Sequence, residues 1–313
     1  VNVNIISNDN GVGLTRDTQI LRRELEALGH TAAFRQWNLP PMPGCGADVN
    51  VFLEVLSARW FDLAKCNVLV PNPEWFADAW VPLMTRVDEI WCKSWTGVRQ
   101  MEALGTTRMV GWTSDDRFDP SIPRKLQCFH LAGRSSAKQT DVVLDTWAAN
   151  PDLPPLVMVQ HEPKRQASLN VRMISGHIPD DHLRRLQNES LIHVCPSACE
   201  GYGHYIAEGM SCNAWIVTTD AGPMRDLTGG HAVLIPAELA GHTHRADVWR
   251  CSAADIAEGV RRSVQSALRG HVLSGTRKIW LDDAASFRRE LADAVSNLRN
   301  KQAHPADTGA CNA

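Results

Sequence analysis

Pro196–Asp226 reads PSACEGYGHYIAEGMSCNAWIVTTDAGPMRD, and the rest of the chain is organised around it. Just ahead of it, Leu191–Cys195 (LIHVC) is a short apolar run that suits a buried strand and stops at Pro196. Gly201 and Gly203 then permit a tight turn and a close approach of backbone to a ligand. A helix is expected from about Ile206, and the N–H groups of its first turn can hold an anion or hydroxyls. Trp215–Thr218 reads as the next strand. Glu200 precedes the turn, whereas Glu208 falls inside the helix beside Ala207, Gly209 and Met210. A carboxylate in that apolar company needs a partner. A vicinal diol is one, because a carboxylate accepts two hydrogen bonds. The competing reading is an ordinary strand–loop–helix unit with Glu208 in a buried ion pair.

On either side, short apolar runs alternate with helical patterns. Val1–Ser7 reads as a strand, Asn8–Leu14 as a loop carrying Gly11 and Gly13, and Thr15–Leu28 as a helix. Ile20, Leu21, Leu25 and Leu28 form its stripe and Gly29 its stop. Strands follow at 31–37, 49–56, 67–70, 89–92 and 108–112, with helices expected at 76–84 and 96–104. Thr113–Lys125 is polar, carries two prolines and is the linker candidate. The pattern then restarts, with strands at 128–132, 155–160, 171–174, 191–195 and 215–218, and a last one at 232–235. Helices are expected at 141–149, 180–187, 253–268 and 277–298. Such alternation predicts α/β architecture, with parallel sheets covered on both faces. The division expected is residues 1–114, residues 115–275, a C-terminal helix at 276–300 and a disordered tail at 301–313. A cleft between two such halves is a natural ligand site.

Pro196, Ser197, Glu200, Gly201, Tyr202, Gly203, Glu208 and Met210 resemble the Glu-x7-Glu signature of retaining glycosyltransferases of the GT-B fold (group 1, family 4-like). The signature usually closes on Gly-Gly-x-x-Glu, but here Ala221-Gly222 and Asp226 stand in those places. Phe129–Asp141 (FHLAGRSSAKQTD) is similar to the same family's G-R-x-x-x-K-G, with Gln139 in place of the final Gly. The resemblance implies two Rossmann-like domains facing across a cleft, with the C-terminal helix packing back on the first. It implies a hexose moved from a nucleoside diphosphate sugar to an acceptor hydroxyl with retention. Arg134 and Lys138 would offset the charge developing on the diphosphate, Glu200 would meet the donor sugar and Glu208 the ribose. Gly11, Gly13, Gly133, Gly201, Tyr202 and Gly203 would line the donor site, and Ser175 and Ile178 (in SGHIP) would hold the base through the backbone. Relatives carry a His after the fourth strand; here Pro71-Asn72-Pro73-Glu74-Trp75 has none, and Asn72, Glu74 and Trp75 are the acceptor-side candidates. A turn built on structural prolines explains the same residues equally well.

Composition narrows the alternatives. The chain has 313 residues, 44% hydrophobic and 21% charged, with a formal net charge of −3. That balance argues against a nucleic-acid partner, although a transferase acting on a modified base, an epimerase or phosphorylase, and a sugar-nucleotide-binding module without activity share the pattern. The nine cysteines form no C-x-x-C pair, which argues against a disulfide framework or a zinc site and for a reducing compartment. No D-x-D run is present, so neither a metal nor a cofactor is expected. No apolar run approaches the roughly 18 residues of a membrane span, and the first residues read as a strand. A cytoplasmic location is expected, with peripheral membrane contact open. The partners implied are a nucleotide-sugar donor and an acceptor that is a glycan, a lipid-linked sugar, a small molecule or a modified base. His242 and His244 read as a surface loop.

Overall fold

The computed structural model of the protein describes residues 1–269 and 275–303. The first half runs β1 (Asn2–Ser7), α1 (Gly13–Ala27), β2 (Thr31–Gln36), β3 (Ala47–Leu53), β4 (Ala64–Val70), β5 (Glu89–Cys92), α2 (Trp95–Met101) and β6 (Thr107–Met109). Its six strands are parallel in the order β2-β1-β3-β4-β5-β6. The second half runs β7 (Lys125–Gly133), α3 (Thr140–Ala149), β8 (Leu156–Gln160), β9 (Val171–Ser175), α4 (Asp180–Glu189), β10 (Ser190–Cys195), α5 (His204–Ser211), β11 (Trp215–Thr219), α6 (Met224–Thr228) and β12 (Val233–Ile235). It forms a second parallel sheet, β12-β11-β10-β7-β8-β9. The expected α/β class with two sheets is what the chain adopts.

Strand alternation sorts the apolar side chains onto two faces. In the first sheet Val3, Ile5, Val51 and Val68 face α1, while Ile6, Phe52 and Leu69 meet Phe61 and Phe76 on the other side. Each such buried side chain contributes roughly 1.5–3 kcal/mol. Helix α1 ends as its sequence predicts. Gly29 takes φ +80°, its N–H bonds Glu26 O at 3.0 Å and that of His30 bonds Leu25 O at 3.0 Å, a Schellman closure.

Four expectations need correcting. The segment 76–84 is not an α-helix. Pro73–Trp75 and Asp78–Arg86 are 3-10 turns, and Pro82 lies inside the second. A proline removes a donor and clashes with the carbonyl four residues back, so the tighter winding wins. Second, β12 is not the last strand. An antiparallel hairpin follows, β13 (Ala237–Thr243) and β14 (Ala246–Cys251), with His242 in a strand and His244 in the turn at φ +50°. Third, the helix expected at 96–104 is α-helical over Trp95–Met101 and closes in a 3-10 turn, Glu102–Leu104. Fourth, after α7 (Ala253–Leu268), the final helix α8 is Thr276–Ala303, longer than 276–300. The remainder of the expected tail, 304–313, lies outside the described residues. In the linker, Arg117, 5% exposed, donates to both oxygens of Asp180 (2.7 and 2.9 Å) and to Gln187 Oε1 (2.9 Å), so the linker is pinned to α4.

Helix α8 joins the halves. Trp280 Nε1 donates to Ser114 Oγ at 2.9 Å and Arg288 pairs with Glu24 of α1 at 2.7 Å. Phe287 and Leu291 share one apolar cluster with Leu21 and Leu25 of α1 and with Ile206 and Met210 of α5. The core is therefore continuous from the first domain into the second on this side.

Candidate active site

The carboxyl ends of the central strands of both sheets meet at the loop 196–203. On the second-domain side, β10 ends at Cys195 and the loop places Glu200 by a relay. The Ser197 hydroxyl donates to Glu200 Oε1 at 2.6 Å, and the Tyr205 hydroxyl lies 2.5 Å from Ser197 Oγ. Lys138 arrives from the end of β7. Its Nζ donates to Leu131 O at 2.8 Å and stands 4.1 Å from the centre of the Tyr205 ring. Burial lowers the Lys138 pKa, and the neighbouring Glu200 opposes that; burial likewise raises Glu200, against Lys138 and Ser197. Both stand at Tyr205, Lys138 over its ring and Glu200 linked to its hydroxyl through Ser197.

Gln139 explains why glycine is usual after that lysine. Its backbone is left-handed, φ +49° and ψ +38°, a conformation that favours Gly. Its amide holds the strained turn in place: Nε2 donates to Pro196 O at 2.7 Å, and Oε1 accepts from Cys251 N at 3.0 Å. Gly133, at φ +58°, opens the same loop. Arg134 does not join the cluster. It is exposed and contacts His161 Nε2 at 2.9 Å on the outer lip.

Glu208 is 2% exposed and both of its oxygens accept hydrogen bonds. Arg16 Nη1 of α1 donates to Oε1, and Gln187 Nε2 donates to Oε2 at 2.7 Å. The ion-paired reading of this glutamate is the one seen. Tyr202 and Gly203 complete the loop, Gly203 at φ +98°. Ser175 ends the edge strand β9, and Ile178 packs on the cluster of Phe129, Val157 and Leu186. Gly11 and Gly13 face open space, with Gly11 at φ +69° and its N–H held by Thr15 Oγ1 at 2.8 Å.

From the first domain comes Asn72, at the end of β4. A side chain at Gly201 would overlap it, so only glycine lets the two domains meet here. Asn72 Nδ2 donates to Glu54 Oε2 at 2.8 Å and its Oδ1 accepts from Lys93 Nζ at 2.9 Å. Lys93 also pairs with Asp17 at 2.7 Å, and Asp17 accepts from Trp112 Nε1 and His204 Nε2, each at 2.7 Å. Burial would raise the Asp17 pKa, but Lys93 and then His204 outweigh it and hold the carboxylate ionised. Glu74 is nine-tenths buried and its Oε2 has no hydrogen-bond partner among the described residues. Burial lifts its pKa to about 8, with the Glu200 charge adding to the rise. Trp75 is 61% exposed.

Sequence reasoning missed Arg16, Asp17, Lys93, His204 and Glu54. Asp17 left a signal: it interrupts the apolar stripe of α1 between Leu14 and Leu21, where a charge needs a buried partner. Asp226 was grouped with the two glutamates by its motif position, yet its Oδ2 accepts from Thr96 N at 2.8 Å and caps the start of α2 in the other domain. The hairpin contributes too. Arg245 N donates to Pro73 O at 3.1 Å, its guanidinium reaches Asp78 at 2.7 Å, and Trp249 N donates to Ala198 O at 2.8 Å. It thus bridges the loop beside Glu200 to the segment carrying Glu74.

Two parallel α/β domains joined by a short linker, with a final helix returning to the first, define the GT-B fold. Residues 163–240 match the family model of group 1 glycosyl transferases, a segment that holds Glu200 and Glu208 and ends within β13. No curated protein sequence matches the chain. A glycosyltransferase from Rickettsia africae superposes with a TM-score of 0.70 at 12% identity, over 95% of this chain and 98% of that one. Sucrose-phosphate synthase from Thermosynechococcus elongatus gives 0.69 at 12% identity, over 97% and 100%. The Anabaena protein HepE, in complex with UDP and glucose, gives 0.66 at 12% identity, over 94% and 99%. The fold extends over nearly the whole of each, and the family match supports a group 1 glycosyltransferase.

Proposed function

We propose that the protein is a retaining glycosyltransferase that moves a hexose from a nucleoside diphosphate sugar to an acceptor hydroxyl. The observation that carries this reading is that Lys138 and Glu200 both stand at Tyr205, at the carboxyl ends of β7 and β10. The bond from the anomeric carbon to the diphosphate oxygen breaks, and the acceptor oxygen bonds to that carbon on the same face. The departing phosphate takes the acceptor proton. Lys138 and, from the lip, Arg134 balance the charge on the leaving group in place of a divalent metal. Glu200 orients the sugar hydroxyls. In the ribose role the diol shares Glu208 with Arg16 and Gln187 or displaces them, since each already engages one of its oxygens. Gly11 and Gly13 lie on the facing loop, and Ser175 and Ile178 on the base side. Asn72, Glu74 and Trp75 line the acceptor side, with Glu74 protonated near neutrality and able to donate to an oxygen.

The structural relatives support the donor class, since HepE was solved with UDP and glucose. The eight described cysteines are buried and none is in a disulfide among the described residues, which fits a reducing compartment. No described helix is long and apolar enough to cross a membrane. The test is incubation of the protein with UDP-, GDP- and ADP-glucose, with and without a panel of sugar acceptors. Nucleotide release that depends on an acceptor, with an α-linked product by NMR, supports the reading; an inverted linkage rules out retention.

A further inference from the structure

Behind the loop 196–203 lies a cavity of about 450 Å³, between the end of β6, α6 and α8. Two of its lining residues also belong to the cleft's framework. Lys93 bonds Asp17 and Asn72, and Tyr202 follows Gly201 in the loop. The other charged residues on its wall are acids: Asp226, Asp283 and Glu290.

Their commitments differ. Lys93 is ion-paired with Asp17, donates also to Asn72 and stands 4.7 Å from the centre of the Trp112 ring, and Asp226 accepts from the N–H of Thr96. Asp283 and Glu290 make no hydrogen bond or ion pair among the described residues. Seven residues apart on α8, they share one helix face about 10 Å apart. Burial, with the Asp282 charge adding, lifts the Asp283 carboxyl to about 6. The Tyr202 phenol is 6% exposed, lines the cavity, and its hydroxyl makes no hydrogen bond among the described residues. The ring is buried while the hydroxyl stays accessible from the cavity, where it can bond a guest. Trp95, 59% exposed, offers an open aromatic face on the same wall.

We propose that this cavity binds an amine-bearing small molecule, its ammonium groups held by Asp283, Glu290 and the Tyr202 hydroxyl and its body laid on Trp95. An anion is disfavoured because Lys93, the cation on the wall, is already ion-paired with Asp17. A neutral sugar would satisfy Tyr202 but leave both carboxylates without a counter-charge. Aromatic faces and carboxylates together recognise ammonium. The inference is independent of the donor reading, since it concerns binding and not turnover.

Calorimetric titration of the full chain tests it, with spermidine and glucosamine as the two amine sources and glucose and N-acetylglucosamine as neutral counterparts. At least one amine is expected to bind saturably at one site, and both neutral sugars at least tenfold more weakly. Asp283→Asn and Glu290→Gln should each weaken the amine at least tenfold, and Tyr202→Phe several-fold. Glu162→Gln, an exposed carboxylate elsewhere, should change nothing, which separates the site from diffuse attraction of cations. Thermal melting of each variant shows that it is folded, and half-exposed Glu290 tolerates substitution even where Tyr202 does not. Absence of saturable binding by both amines, equal binding of glucose, or full affinity in folded Glu290→Gln would overturn the proposal.

Discussion

Arg16, on the first helix of the first domain, donates to Glu208, buried in the middle of α5 of the second. Gln187 from α4 supplies the other hydrogen bond at 2.7 Å. The second glutamate of the motif therefore ties the halves together before any ligand is considered. Removing Arg16 leaves a buried carboxylate short of its counter-charge. Arg16→Ala is expected to lose roughly 3 kcal/mol in urea denaturation. Arg16→Ala combined with Glu208→Gln should cost clearly less than the sum of the two single changes. Strict additivity would show that the contact carries no coupling.

Asn72 of the first domain and Gly201 of the second approach each other closely at the cleft. Gly201→Ala drives a methyl into the Asn72 side chain, which Lys93 and Glu54 hold from the other side. A loss of about 1–3 kcal/mol is expected, together with a fall in turnover of tenfold or more. Adding Asn72→Ala should recover part of the stability and none of the activity. A Gly201→Ala protein with wild-type melting would mean that the loop does not close on Asn72.

Glu74 sets a pH dependence of definite sign. Its carboxyl titrates near 4.5 when unfolded and at about 8 when folded. The folded state thus holds the extra proton between those values, and stability falls as pH rises through them. Glu74→Gln removes this slope. The variant should match or trail the wild type near pH 4.5 and exceed it by a few kcal/mol above pH 8. Parallel stability curves across that range would place the Glu74 proton elsewhere.

His130 and His193 slope the other way. Each is fully buried, His130 bonded to Val194 O at 2.8 Å and His193 to Gln187 O at 2.9 Å, and burial lowers each pKa to about 4. Their contribution is intact above the unfolded value of 6.5 and is lost as pH falls toward 4. NMR should find two imidazoles that stay neutral from pH 8 down to pH 5. Ordinary titration of all the histidines near 6.5 would contradict their packing.

The sheets were legible in the sequence because buried parallel strands are short apolar runs that glycine and proline punctuate, as at Leu191–Pro196. The loop 196–203 was legible because Gly201, Gly203 and the two glutamates stand at a fixed spacing. The hairpin 237–251 was not. Its alternation is weak (AELAGHT, ADVWRC), and its turn, His244-Arg245, lacks the Asn-Gly or Asp-Gly signal. The partners of Glu208 and Asp226 were not legible either. Arg16 and Thr96 lie far away in the chain, and only the apposition of two domains brings them there. Arg134 shows the converse limit, since a motif position fixes a residue's place in the loop but not the direction its side chain takes.

The central claim is that Lys138 and Glu200 handle the leaving diphosphate and the sugar of one donor. Turnover of the donor found by screening UDP-, GDP- and ADP-glucose, measured for wild type and Lys138→Ala alongside binding of the free nucleotide diphosphate, tests it most directly. The account predicts that Lys138→Ala stays folded and loses at least a thousandfold in kcat, the scale of a removed charge-stabilising group, while the nucleoside diphosphate still binds. A Lys138→Ala protein that turns the donor over at the wild-type rate would contradict it.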